Sequence, residues 1–145
     1  MKYQQNNPKE YLYQIWNLDR EIEIKYKALE KVRSQIGIKP QPDPDTNVGH
    51  STSISDPVFD YVAKVTKLED QLNRRIDRLI DLKAKITMQI DGMENRTYRN
   101  ILTCRYVLMQ TWDEVAESVG YERRQCLRLH GRALQEFERK YLRCH

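Results

Sequence analysis

Two long stretches of the chain repeat apolar residues at intervals of three and four, which is the spacing of an amphipathic helix. In the first, residues 8–36, the apolar seam is broken only at Lys25. Asn7 is a candidate N-cap, and Pro8 suits the first position of a helix. The pattern predicts one long helix that stops at Gly37. Its inward positions are Tyr11, Ile15, Leu18, Ile22, Leu29, Val32 and Ile36.

The second stretch, residues 57–91, predicts another long helix that Ser55 or Asp56 caps and Pro57 begins. Its apolar stripe is wider than a two-stranded seam requires, which favours more than one packing neighbour. The seam positions are Val58, Val62, Val65, Leu72, Ile76, Leu79, Ile86 and Ile90, and the stripe is widened by Leu68, Ile80 and Leu82.

Between them, residues 37–56 form a predicted flexible linker, because Pro40, Pro42 and Pro44 alternate with polar residues and prevent a helix. Neither long helix can bury its stripe alone, so we expect an antiparallel hairpin within the chain. A dimeric assembly of two hairpins is the second arrangement, and we interpret residues 57–94 as a dimerisation element. The competing interpretation is a coiled-coil arm that contacts another protein.

Residues 95–145 predict a small helical domain, so the expected fold class is all-α. Residues 95–109 form its first predicted helix. Thr111 then stands three residues before Glu114, which is the spacing of a capping box. Ala116 is followed by Gly120 four residues later and by the small apolar Cys126 six residues after that. This is the spacing of a DNA-binding helix-turn-helix, although a purely structural corner between two helices also fits it.

Charge distinguishes these two interpretations. The formal net charge is +4, and residues 95–145 hold ten basic and six acidic residues, with most of the excess after Tyr121. Arg123 and Arg124 open the second helix of the motif, where a positive charge opposes the helix dipole. They are therefore not there to stabilise their own helix. A cationic surface concentrated on one element favours nucleic acid as the partner.

The runs Tyr98–Tyr106, Thr111-Trp-Asp-Glu-Val-Ala and His130-Gly-Arg-Ala-Leu resemble a family of small proteins encoded by phages and prophages of Gram-positive bacteria. The C-terminal part is similar to region four of bacterial sigma factors, the helix-turn-helix that reads the −35 promoter element. The N-terminal hairpin with its polar linker resembles that family too. The resemblance implies a phage transcription regulator that acts in the cytoplasm of the host cell.

By matching the motif, the resemblance places base contacts on the first turns of the second helix. Arginine fits the two acceptors of guanine, and leucine can touch a thymine methyl group. Arg132 lies a turn further on and suits a phosphate, as do Thr111 and the amides after it. Glu122 departs from the pattern, where a Ser or Thr cap is usual; we expect it still to accept hydrogen bonds from helical amides. The predicted DNA-binding residues are Thr111, Arg123, Arg124, Gln125, Leu127, Arg128 and Arg132.

Other chemistry is weakly represented. No catalytic triad, paired-carboxylate pocket or Gly-rich phosphate loop is present, so we expect no enzyme, no catalytic residue and no cofactor. His130 is expected to be a surface or interhelix residue rather than a base. Three widely spaced cysteines indicate reduced thiols rather than a metal site, and no apolar run is long enough for a membrane.

Three functions remain open from the sequence. The first is a sequence-specific regulator of double-stranded DNA that works as a homodimer. The second is a sigma-like or anti-sigma-like adaptor whose main partner is host RNA polymerase. The third is a small packaging or terminase-like DNA-binding protein, although such proteins usually place the DNA-binding part first.

Overall fold

The computed structural model describes residues 7–37 and 57–143, and within these residues it contains helices and no strand. The all-α class is therefore confirmed. Five α-helices follow in order, α1 (Pro8–Gly37), α2 (Pro57–Asp91), α3 (Arg96–Leu102), α4 (Trp112–Val119) and α5 (Arg123–Phe137). Short π-helical turns, Thr103–Val107 and Glu138–Leu142, follow α3 and α5. The predicted caps Ser55 and Asp56 and linker residues 38–56 lie outside the described residues.

Both long helices form where their patterns predicted them. Asn7 caps α1, since its Oδ1 accepts hydrogen bonds from the backbone amides of Lys9 at 3.0 Å and Glu10 at 3.4 Å. α1 runs through Gly37 and α2 ends at Asp91, one residue before Gly92. One fully buried residue of α1, Leu12, does not belong to the predicted seam. It stands beside Tyr11, so a wider apolar stripe would have included it.

The described chain divides into two compact units. One contains Arg20–Asp77, and the other contains Met1–Asp19 together with Arg78–His145 as far as these are described. In the first unit, which we call the distal unit, the two helices run antiparallel. Arg75 Nε contacts Glu21 Oε1 at 2.7 Å, and Arg33 contacts Glu69 at 2.6 Å. These exposed pairs fix register more than they stabilise, because water screens them.

The other unit, which we call the C-terminal unit, holds α3, α4 and α5 and the adjoining ends of the two long helices. Its core is built from fully buried apolar side chains of every one of these elements. They are Leu12, Ile15, Ile86, Ile90, Ile101, Leu102, Tyr106, Val115, Cys126, Ala133 and Phe137. Because the core draws on all these segments, burying it ties the helix-turn-helix to the base of the hairpin.

The predicted third helix, residues 95–109, is interrupted. Asn95 caps α3, but the helix widens into a π turn at Thr103–Val107. This helical segment ends with Leu108 as its C-cap. Ile101 and Tyr106 are both buried and stand five residues apart, which is one π turn. An α-helix would turn one of them away from the core, whereas the wider turn buries both.

A cation between two indole rings connects α1 to this region. The guanidinium carbon of Arg105 lies 4.7 Å from the ring centroid of Trp16 and 4.7 Å from that of Trp112. Trp16 Nε1 donates to the Arg105 carbonyl at 2.9 Å, and Arg105 donates to the Gln110 carbonyl at 2.8 Å. Cation–π attraction strengthens when the groups are partly buried, as these are. Arg105 therefore helps to position the start of α4.

Candidate nucleic-acid interface

The helix-turn-helix begins with a capped helix. Thr111 precedes α4 in extended conformation, and its hydroxyl accepts a hydrogen bond from the Glu114 amide at 3.3 Å. This is the predicted N-cap. Thr111 itself remains exposed.

A three-residue turn joins α4 to α5. Gly120 adopts φ +79°, a left-handed conformation that a Cβ would strain, and its amide donates to the Ala116 carbonyl at 2.9 Å. The Tyr121 amide donates to the same carbonyl at 3.2 Å. The chain therefore ends α4 and reverses direction within Gly120–Glu122, as the sequence predicted for this glycine.

The inner face of α5 packs as the motif spacing predicted. Cys126 and Ala133 are fully buried, and Val115 of α4 is buried beside them in the same core. Burial raises the pKa of the Cys126 thiol, so this side chain acts as a small neutral apolar group. The four-then-six spacing of Ala116, Gly120 and Cys126 thus corresponds to a formed two-helix corner.

His130 completes the inner face. It is buried, and its Nε2 shares a 2.7 Å hydrogen bond with the Tyr106 hydroxyl. The rings of His130 and Trp112 meet edge-to-face at a centroid distance of 4.6 Å. Of the two expectations for His130, the interhelix position is correct and the surface position is wrong. Burial, with smaller contributions from Lys9 and Arg105, lowers the pKa of His130 to about 4, so the ring is neutral near pH 7.

The outer face of α5 holds the predicted base-contacting residues. All are exposed, while the buried residues of the helix lie on the opposite side. Leu127 exposes 42% of its surface. The outward set consists of Arg123, Arg124, Gln125, Leu127, Arg128 and Arg132. The fold therefore gathers every predicted residue of the second helix on solvent-facing positions.

The arginines differ in their protein contacts. Arg123 lies 3.5 Å from Asp113 of α4, and both side chains are more than half exposed. An exposed pair at that distance holds Arg123 weakly, by about 0–1 kcal/mol. Within the described residues, Arg124, Arg128 and Arg132 have no ion pair. Their guanidinium donors are available to an external acceptor.

Glu122 corrects one sequence expectation. It is the N-cap of α5 in extended conformation, but its side chain accepts no hydrogen bond from the helix. The expectation that it caps the helical amides is therefore wrong. The physical reason is length, since the capping oxygen of Asp or Asn is one bond closer to the backbone than that of Glu, and the capping oxygen of Ser or Thr is two bonds closer. The first amides of α5 stay open toward solvent.

Sequence reasoning missed the arginines at the far end of the helix. Arg139 and Arg143 line an open groove of about 560 Å³ together with Arg132 and Tyr98. Gln135, Glu136 and Glu138 complete its lining. The signal was present, because Arg128, Arg132 and Arg139 are spaced by four and seven residues and so share a helix face.

Other chemistry is limited within residues 7–37 and 57–143. No three His, Cys, Asp or Glu side chains of these residues are grouped to hold a metal ion. None of their helices is both long and apolar enough to cross a membrane. No family model matches the chain, and neither a curated protein nor a solved structure was found to match it.

Proposed function

We propose that this protein is a sequence-specific regulator that binds double-stranded DNA through α5. One observation carries the proposal: α5 follows a left-handed glycine turn and presents arginines outward while its opposite face is buried in the core. An α-helix fits the major groove of B-DNA, and a bidentate arginine distinguishes guanine there. A structural corner would gain nothing from cations at the N-terminus of its second helix.

Arg124 and Arg128 are the proposed base-reading residues. They are exposed, four residues apart and therefore on one face, and no carboxylate among the described residues holds them. Leu127 and Gln125 flank them and supply an apolar contact and an amide. Thr111 and the amides at the start of α4 would lie against a phosphate and fix the register of the protein on the duplex.

The proposal includes a homodimer formed through the long helices. In the distal unit, Phe59 exposes 71% of its surface, Ile24 61% and Val62 54%. These side chains are apolar and exposed, and a further helix pair would bury them. Two reading helices that are held together bind DNA with a higher overall affinity than one helix alone. A motif of modest charge needs this gain, because one copy binds weakly.

Binding of fluorescent duplexes tests the assignment of the reading helix. The test duplex is one that the wild type selects from random sequences. We expect Arg128→Ala to weaken binding to this selected site by about 1–3 kcal/mol, or roughly 5- to 150-fold, for each half-site, and to weaken binding to a scrambled duplex much less. Arg74→Ala is the matched control, because it removes one exposed arginine from the distal unit, and sedimentation equilibrium must give it the same mass as the wild type. Equal affinities of Arg128→Ala and Arg74→Ala for the selected site would contradict the assignment.

The same preparation tests RNA polymerase as the main partner. If polymerase from a bacterial lysate stays bound to the protein after nuclease treatment, and duplex binding is absent, the adaptor function replaces the proposed one. Under our proposal, duplex binding persists with purified protein alone.

A further inference from the structure

The row of arginines on α5 continues past the residues that can read bases. Spacings of four residues keep Arg124, Arg128 and Arg132 on one face of α5, and Arg139 follows seven residues later in the π turn Glu138–Leu142. All four are exposed. At 1.5 Å per residue, the row extends over roughly 22 Å from Arg124 to Arg139.

A recognition helix contacts base edges with its N-terminal residues. Arg132 lies eight residues after Arg124, which is roughly 12 Å along the helix axis. Side chains beyond Arg132 would therefore leave the base edges and meet the sugar-phosphate backbone at the border of the groove. Arg139 lies in this region, two residues after the end of α5.

The protein surface at this point is concave and rich in donors. Arg132, Arg139 and Arg143 line the groove beside Tyr98, and none of the three arginines forms an ion pair within the part of the chain that the structure describes. This holds although Glu136 and Glu138 line the same groove. Three guanidinium groups against two carboxylates leave the lining with one net positive charge. Guanidinium groups with open donors match the oxygens of a phosphate group.

The backbone leaves room for a ligand between the reading residues and this groove. Gly131 lies on the exposed side of α5, and a Cβ added there would meet nothing within 4 Å. Glycine weakens a helix interior, and packing within this protein does not explain why a glycine stands here. A strand of DNA that crosses α5 at this position would be accommodated by it.

We propose that the groove lined by Arg132, Arg139, Arg143 and Tyr98 binds a backbone phosphate of the duplex, adjacent to the bases read by Arg124 and Arg128. This proposal rests on the proposed function, since the phosphate belongs to the same DNA. The groove would set the position of α5 along the duplex and add affinity without sequence preference. The groove would recognise a phosphate group, which DNA supplies in its backbone. A free phosphate or pyrophosphate ion could supply the same group.

Salt dependence of duplex binding separates a phosphate contact from a base contact. The dissociation constants of the wild type, Arg139→Ala, Arg139→Lys and Arg74→Ala are measured between 50 and 200 mM KCl, on the selected duplex and on a scrambled one. Each lost phosphate contact makes the slope of log K against log salt less steep by about 0.9. The proposed homodimer loses one contact per protomer, so Arg139→Ala should reduce the steepness by about 1.8. It should bind both duplexes more weakly by the same factor. Arg139→Lys should keep the slope, because a lysine is also a phosphate ligand.

The outcomes distinguish this inference from the function on which it rests. If Arg128→Ala weakens binding to the selected duplex but the slope for Arg139→Ala equals that of Arg74→Ala, the phosphate groove is wrong and the reading helix stands. If the wild type binds neither duplex, both fail. Calorimetric titration with inorganic phosphate and pyrophosphate tests the other source. Saturable binding that Arg139→Ala abolishes, with an unchanged DNA slope, would assign the groove to a free anion and overturn the inference.

Discussion

The Tyr106 hydroxyl and His130 Nε2 lie 2.7 Å apart in the core of the C-terminal unit and share a hydrogen bond. The pair joins the π turn after α3 to the inner face of the proposed reading helix. Burial raises the pKa of Tyr106 and lowers that of His130 to about 4, so both groups are neutral near pH 7. A neutral, hydrogen-bonded pair is compatible with burial, whereas a charged imidazole is not.

This pair makes the stability of the protein depend on pH. The pKa of His130 is about 4 in the folded protein and about 6.5 in an unfolded chain, so the unfolded chain binds more protons between these values. Stability contributed by the neutral ring is therefore complete above pH 6.5 and is lost as pH falls to 4. The loss should reach roughly 3 kcal/mol, as measured by urea unfolding at a series of pH values.

His130→Gln is the control for that measurement, since glutamine keeps a polar side chain but does not titrate. The variant should be less stable than the wild type at pH 7, with a flatter dependence on pH between 6.5 and 4. If the two pH profiles run parallel, His130 is not the group responsible.

Two glycines form a matched pair that tests the turn. A Cβ added to Gly120 or to Gly131 meets nothing within 4 Å, so the backbone conformation alone separates them. Gly120 has φ +79°, and Gly120→Ala should destabilise the protein by about 1–2 kcal/mol. Gly131 lies within α5, and Gly131→Ala should stabilise it by about 0.5–1 kcal/mol. Thermal unfolding measures both, and shifts of the same sign would refute the assigned conformations.

Glu122 offers a way to separate helix capping from charge. Its side chain forms no capping hydrogen bond, although its backbone is in the extended conformation of an N-cap. Glu122→Asp and Glu122→Ser both place an oxygen within reach of the first amides, so each should stabilise α5 by about 0.5–1 kcal/mol. Only Glu122→Ser also removes a negative charge beside the proposed DNA surface, and only it should bind duplexes more tightly. Equal DNA affinity of the two variants would show that this charge does not face the DNA.

If the exposed apolar side chains of the distal unit form the dimer interface, a charge placed among them should dissociate the proposed dimer. Phe59 is 71% exposed, so Phe59→Glu should leave the folded chain intact. In a dimer it would bury a charge, which is costly without a partner. Sedimentation equilibrium should give twice the 17.4 kDa chain mass for the wild type and a lower mass for the variant. A wild type that sediments as a monomer at all concentrations would exclude the homodimer.

Periodicity was sufficient to predict the long helices and the corner between α4 and α5. The seam of α1, the cap at Asn7 and the spacing of Ala116, Gly120 and Cys126 depend on local rules that sequence alone displays. The outward direction of Arg124 and Arg128 followed from the same periodicity, because Cys126 had been assigned to the core.

Features that depend on tertiary contacts could not be predicted in the same way. The π turn at Thr103–Val107 is decided by which side chains share a core, and apolar spacing does not distinguish it from an α-helix. The burial of His130 depends on Tyr106 and Trp112, which approach it only in the folded chain. Leu68 and Ile80 of the predicted wide stripe of α2 are exposed, because a helix pair buries less of a wide stripe than a larger bundle does. The seam position Val62 is exposed as well.

The central claim, that α5 reads base sequence in duplex DNA, is tested most directly by selecting binding sites from random duplexes with the wild type and with Arg128→Ala. We predict an enriched motif of two inverted half-sites one helical turn or a multiple apart. A guanine preference in each half-site should disappear with Arg128→Ala while the remaining positions persist. A wild-type selection that enriches no sequence over the starting pool would contradict the claim.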